Sequence, residues 1–480
     1  MFGPSISTTV IFFSTAISVF SYEIPTPKFE RLRLGGIRVS IRDEPGVQFF
    51  ALHANVNKPI EIGDAGAIVG EVINPRNNWW SFDDNNVALR KGDILHYWIY
   101  VQVNGSSHKR LDLETLDGDA SAGGTTNCEK SVTSVRGKTE SCRDHLIFEE
   151  NFDVDIDSDG YPPKGKSSFS REIIIPLDPD YEFCIYRELP NSLKFENGTM
   201  SIGPLILDEV YGYNTTFYGR LDLSESCTGS VPLECNRRAI GSSILPPIIS
   251  ARLTTKKSFH FRYGKIEIRA KFPAGDWLYP ELWLQPKQQI HGTGYLSGRV
   301  ILGLVRGNEY LTKISESENT QYGSTSLEFG LRVGPSENVR EQKVMKKRSS
   351  GTWNEDFHVY TTTWNDEGFR FEVDGEEIGR IEPGQWSKSN HYEGRSEPTN
   401  NSMTPFDNEF YITVGLGIGG IRVFPDEIVS GRNVKPWRNI EAKAMLNFWR
   451  AKDTWMPSWG MRNEVRDSHF KLDYIRVWTV

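Results

Sequence analysis

The chain has 480 residues, enough for two or three domains and a large core. Its 38% apolar and 12% aromatic content excludes a disordered chain and leans toward β-structure. A net charge of −8 argues against a nucleic-acid partner, which needs clustered Lys and Arg, and against nonspecific adhesion to anionic membranes.

Residues 1–21 read as a secretory signal peptide, with Val10–Val19 as the apolar centre and small residues before Tyr22. That run is short and too polar for a membrane anchor, and no second apolar run of spanning length follows. The mature protein is therefore expected to be soluble, secreted and without a membrane span. From 22 to 117 the text is short alternating strands broken by turns. Ile37–Ile41 alternates, Asp43-Glu44-Pro45-Gly46 is a turn, and Val47–Leu52 resumes a strand. Ile94–Val103 is then closed by Asn104-Gly105, a strong hairpin signal. This rhythm predicts an immunoglobulin-like β-sandwich. Residues 118–145 are polar and small, a flexible linker carrying a local disulfide loop. Residues 146–480 form the second domain, where segments such as Phe369–Val373 again alternate with period two.

Five cysteines suit an oxidising compartment. Cys128 with Cys142, and Cys227 with Cys235, each flank a short loop and are expected to pair. Cys184 is left over, either a buried thiol or an intermolecular link. With no paired Cys-x-x-Cys or His-x-x-x-His, no metal and no cofactor is expected. Asn-x-Ser/Thr sequons at Asn104, Asn197, Asn214 and Asn400 are candidate glycosylation sites.

The segments Gly36–Gly46, Trp80-Ser81-Phe82-Asp83-Asp84 and Leu89–Asp93 resemble the family 39 carbohydrate-binding module. That module heads the arthropod β-1,3-glucan recognition proteins, also called Gram-negative-bacteria-binding proteins. The resemblance implies glucan contact by Asp43, Trp80 and Asp84, with Phe82 and Arg90 beside them. An aromatic face suits the C–H side of a glucose ring, and carboxylates accept from sugar hydroxyls. Here Trp79 precedes Trp80 where the family usually has a polar or basic residue.

From Leu146 to Val480 the chain resembles glycoside hydrolase family 16, through Tyr263–Lys271, Asp276–Leu284, Ser297–Asn308 and Leu472–Trp478 among other segments. The resemblance implies a concanavalin-like jelly roll, making the whole protein all-β, with a concave sugar cleft. Trp277, Trp283, Glu267 and Arg269 are the candidate cleft residues. Members that cleave sugar carry Glu-x-Asp-x-x-Glu on the strand aligned with Ser297–Asn308. Arg299, Ile301 and Leu304 stand at those three places. Position 304 rejoins the face of 299 and 301 only through a bulge. A retaining hydrolase needs two carboxyl groups about 5–5.5 Å apart, and this strand supplies none. Glu281 and Glu309 are the nearby acids, neither with a partner evident from spacing. His358 is the one histidine in a family motif, expected to be structural.

The resemblance therefore implies a secreted, non-catalytic pattern-recognition receptor for microbial cell-wall polysaccharide. Its ligand would be β-1,3-glucan, with lipopolysaccharide and peptidoglycan as further candidates. Its partners would be extracellular serine proteases of Toll or prophenoloxidase cascades, or another recognition protein. An active endo-β-1,3-glucanase and a structural extracellular glycoprotein are the alternatives.

Overall fold

A computed structural model describes residues 24–25, 27–32, 36–76, 78–85, 87, 89, 93–115, 129–140, 142–153, 167–187, 189–314, 321–386, 402–460 and 467–480. The expected signal peptide, Arg90, Cys128 and Asn400 lie outside these residues. The chain forms two compact units, residues 1–126 and 127–480. The described part is dominated by antiparallel strands, as an all-β chain requires.

The first unit is a sandwich of two sheets. One has three strands, β1 (Lys28–Arg31), β2 (Ile37–Arg42) and β5 (Trp79–Asp84), in the order β1-β2-β5. The other has four, β3 (Val47–Val56), β4 (Ile68–Val72), β6 (Ile94–Val103) and β7 (Ser106–Thr115), in the order β4-β3-β6-β7. The hairpin expected at Asn104-Gly105 is present. Both residues have positive φ, 48° and 79°, and Val103 pairs with Ser106 across them. Period-two alternation sends Ile37, Val39 and Ile41 inward from β2 to meet Phe50, Leu52, Ile99 and Val101.

The second unit stacks two large sheets. In one, Phe470–Trp478, Gly264–Lys271, His358–Asn365 and Gly368–Val373 are neighbours in that order. In the other, Arg340–Lys347, Ser326–Gly334, Tyr295–Leu304, Leu278–Pro286 and Phe410–Ile418 run side by side. One continuous apolar core lies between them, including Ile266, Ile268, Leu282, Leu284, Val300, Leu331, Ile412 and Val414. Trp277 packs edge-on against Phe424 and Trp437 within it.

The linker expected over 118–145 is corrected from residue 129 onward. Ser134–Val135 pairs with Phe261–Arg262, and fully buried Thr133 accepts the Val480 backbone N–H at 2.9 Å. Thr479 donates to the Cys142 carbonyl at 2.7 Å. The bonds to Thr479 and Val480 join segments more than 300 residues apart, so local composition does not reveal them.

Cys227 and Cys235 form the expected disulfide, and Cys142 is disulfide-bonded. Cys184 is a buried free thiol.

Candidate functional site

Two faces carry the residues expected to meet sugar. The first is the outer face of the three-stranded sheet. On β5, alternation sends Trp80 and Phe82 toward the sandwich interior and Trp79, Ser81 and Asp83 to solvent. Trp80 is 1% exposed, and its indole N–H donates to Asp43 at 2.7 Å. Phe82 is half-buried against Gly70, where a Cβ would come within 2.2 Å of its ring. Asp43 and Trp80 are thus brought together as a part-buried hydrogen-bonded pair, and a sugar does not reach the buried Trp80 ring in this geometry. Asp84 is half-buried at the end of β5.

The residue that sequence reasoning passed over is Trp79. All thirteen tryptophans are described, and Trp79, at 39%, is the one exposed by more than a third. It lies opposite Arg42 in the β2–β5 register. Four residues along, Arg38 grips Asp83 with two hydrogen bonds of 2.7 and 2.8 Å. The available signal was parity: if Trp80 and Phe82 face inward, Trp79 faces out. The face therefore offers an indole plane, a guanidinium and a forked Arg–Asp pair, the mixture that stacks on a sugar ring and bonds its hydroxyls.

The second face belongs to the second unit, on the side of the Leu278–Pro286 sheet away from the core. Tyr279, Glu281 and Trp283 alternate onto it. On the neighbouring strand Arg299 lies opposite Arg332, and Ile301 opposite Gly330. The register slips between Ile301 and Leu304, so Leu304 pairs with Glu328 and returns to the same face. The expected bulge is there. Arg299, Ile301 and Leu304 consequently share one face, and each is buried. Glycines make room beside them: a Cβ on Gly415 would lie 2.6 Å from Glu281 Oε2, and one on Gly417 2.3 Å from the Tyr279 ring.

The charges on this face pair mainly with one another, leaving Glu281 Oε2 and Arg332 Nη1 and Nη2 without a hydrogen bond. Arg299 donates to Asp180 at 2.5 Å, Arg332 lies 3.6 Å from the same carboxylate, and Tyr295 also donates to it. Burial works against ionisation of Asp180, but the two guanidiniums and the tyrosine outweigh it and hold the carboxyl below its usual range. Trp283 is 2% exposed, with the Arg299 and Arg332 guanidiniums 5.7 and 5.8 Å from its ring.

Glu281 does acquire a partner from elsewhere in the chain, contrary to the sequence expectation. Arg252 Nη1 bonds Glu182 at 3.1 Å and Glu281 at 3.5 Å, while its Nε bonds Glu172 at 2.6 Å. Burial, the Glu281 carboxylate and the Asp180 carboxylate push Glu182 well above the usual range. Glu182 therefore retains its proton where a carboxyl ordinarily ionises. Glu309 is half-buried beyond the strand end.

Trp277 is buried against Phe424, which also packs on Tyr279 of this face. Two cleft candidates lie elsewhere. Glu267 and Arg269 project from the outer surface of the other sheet, where Tyr474 donates to Glu267 at 3.0 Å and Arg269 pairs with Asp473. His358 is structural: Arg348 donates to its Nε2 at 3.2 Å, so Nδ1 carries the proton and donates to Asp374 at 2.7 Å.

Among the described residues no group of His, Cys, Asp and Glu is placed to hold a metal ion. No helix there is long and apolar enough to cross a membrane.

Known proteins resemble this chain along most of its length. The family model CBM39, described as "Carbohydrate binding domain (family 32)", matches residues 23–131. β-1,3-Glucan-binding protein 1 of Galleria mellonella is 33% identical, over 97% of each chain. β-1,3-Glucan-binding protein 2 of Manduca sexta is 32% identical, over 96% of this chain and 95% of its own. Gram-negative bacteria-binding protein 1 of Drosophila melanogaster is 31% identical, over 95% and 96%. Among solved structures, the laminarinase from Rhodothermus marinus is 17% identical with a TM-score of 0.43, over 70% of this chain and 98% of that one. At over 30% identity along nearly the full length, the chain belongs to the family of β-1,3-glucan-binding and Gram-negative bacteria-binding proteins.

Proposed function

We propose that this chain is a secreted recognition protein that binds microbial β-1,3-glucan without hydrolysing it, contacting the polymer on the outer face of the three-stranded sheet around Trp79. The observation that carries this is the exposure of Trp79 alone among thirteen tryptophans, beside Arg42 and the Arg38–Asp83 fork. A repeating glucan presents the same ring face at each residue, so one indole with flanking polar groups suffices as an anchor. The relatives' names supply the ligand class. Signal transfer to extracellular serine proteases, or to another recognition protein, completes the reading.

The non-catalytic part rests on chemistry. Arg299, Ile301 and Leu304 offer no group that gives or takes a proton at neutral pH. Glu182 and Glu281 are the observation that favours a second reading, an endo-β-1,3-glucanase with relocated acids. They are less suited to it. Both accept from the same Arg252 Nη1, whereas a retaining pair stands about 5–5.5 Å apart around the scissile bond. Both are also closed off from solvent.

Co-sedimentation with curdlan tests the proposal. The full chain should pellet, and Trp79→Ala should weaken binding by about 1–3 kcal/mol, taking aromatic stacking on nucleic-acid bases as the guide. Reducing ends released from laminarin would establish the hydrolase instead. Failure to pellet with curdlan, yeast walls and peptidoglycan alike would leave a structural glycoprotein.

A further inference from the structure

We propose that Asn214 carries an N-linked glycan whose first sugar lies against the tyrosines flanking it, so that the chain's own carbohydrate covers an aromatic patch on the second unit. Asn214 opens the sequon Asn214-Thr215-Thr216 at a bend between two short helices, Leu207–Tyr211 and Thr215–Tyr218. Its backbone is left-handed, with φ of 62°, and its side chain makes no capping hydrogen bond. The amide is therefore not needed to hold the local fold.

Its neighbours are what set it apart. Tyr213 precedes it and is 91% exposed, the most open aromatic among the described residues. Tyr218 follows by one helical turn and is 79% exposed, its backbone N–H bonded to the Asn214 carbonyl at 3.0 Å. A single exposed aromatic is ordinary, but two on either side of one acceptor asparagine form a platform. An N-acetylglucosamine joined there has its apolar C–H face and acetyl methyl within reach of both rings. The described sequons at Asn104 and Asn197 lie at Asn-Gly hairpin tips, and no aromatic exposed to this degree follows or precedes them in sequence.

The sequon also fixes when the sugar is added. Thr216 is fully buried, and its hydroxyl donates to Asp208 at 2.7 Å. A transferase that reads the sequon hydroxyl cannot reach it in the folded unit. Modification must precede folding. In that step the Asn214 Nδ2 attacks C1 of the first sugar of a lipid-linked oligosaccharide pyrophosphate. The N–C1 bond forms as the C1–O bond to the pyrophosphate breaks, the lipid pyrophosphate leaves with that electron pair, and one Nδ2 proton passes to a base of the transferase.

This rests on the reading that the chain is secreted, and the test separates the two. The full chain is expressed in insect cells, and the medium is analysed by glycopeptide mass spectrometry. Asn214 should be occupied. Enzymatic removal of the glycan should lower Tm by roughly 2 °C or more, and that loss should disappear in a Tyr213→Ala/Tyr218→Ala variant. Secreted protein glycosylated at Asn104 or Asn197 but bare at Asn214 would overturn the proposal while leaving secretion intact. So would an occupied Asn214 whose glycan gives the same Tm change with and without the tyrosines. Protein retained in the cytosol with every sequon bare would overturn the secretion reading and this one with it.

Discussion

The outer face of the three-stranded sheet and the Arg299 face of the second unit are built from the same parts. Each sets a tryptophan beside arginines and carboxylates. On the first, Trp79 stays open, and the Arg38 and Asp83 side chains retain 27% and 34% of their exposure. On the second, Trp283 is buried between guanidiniums, and Arg299 and Asp180 retain 8% each. The difference teaches that a residue inventory does not make a sugar site. Groups paired in a dry interior are closed off from a ligand, whereas the same groups at the surface exchange water for sugar hydroxyls at little cost.

The comparison breaks most visibly at the buried ion pair. Asp180→Ala would leave Arg299 without its carboxylate while Arg332 keeps Glu341, and should destabilise the second unit by about 3–5 kcal/mol in urea unfolding. Trp283→Ala should cost a similar ~3–5 kcal/mol by opening a cavity, yet leave the curdlan affinity of the folded protein unchanged. Trp79→Ala should do the reverse, weakening curdlan binding by about 1–3 kcal/mol with the unfolding midpoint almost unmoved. Glucan binding that follows Trp283 and ignores Trp79 would invert the assignment of the two faces. Arg38→Ala is the smallest step, within about 1 kcal/mol of wild-type stability, because its pair with Asp83 is partly solvated.

The last expectation is a slope. Glu182 has a folded pKa raised above its unfolded value, so the folded state binds the extra proton. Its stabilisation is complete below the unfolded carboxyl range and is lost as pH rises from there through the folded pKa. Glu182→Gln keeps a neutral hydrogen-bonding group in place. It should flatten that decline and make the second unit more stable than wild type at neutral pH. Denaturation midpoints measured from pH 4 to pH 8 would reveal it. A wild-type stability rising across that window with no difference from the variant would mean that Glu182 is ionised in the fold.

Parts of this protein follow from local sequence. Alternation over Ile37–Ile41 and Ile94–Val103 dictates strands, because period two is the only pattern that buries one side of a strand. Asn104-Gly105 dictates its turn, because both residues tolerate positive φ. The eight-residue spacing of Cys227 and Cys235 allows a local disulfide. Arg299, Ile301 and Leu304 are also plain in the text, and so is the bulge that puts them on one face.

Tertiary structure decided which face each of those residues would meet. Two adjacent tryptophans, Trp79 and Trp80, look equivalent in sequence. Only the pairing of β5 with β2 against the second sheet puts Trp80 inside, bonded to Asp43, and leaves Trp79 to solvent. Glu281 looked solitary, because Glu182 is 99 positions away and Arg252, which holds both, is on another strand. Residues 129–145 looked like a tether until Val480 came back to bond them. Backbone preference acts over a few residues and leaves a trace in the sequence. Burial, charge neutralisation and the closing of a sheet act between segments hundreds of residues apart, and only the assembled fold brings those partners together.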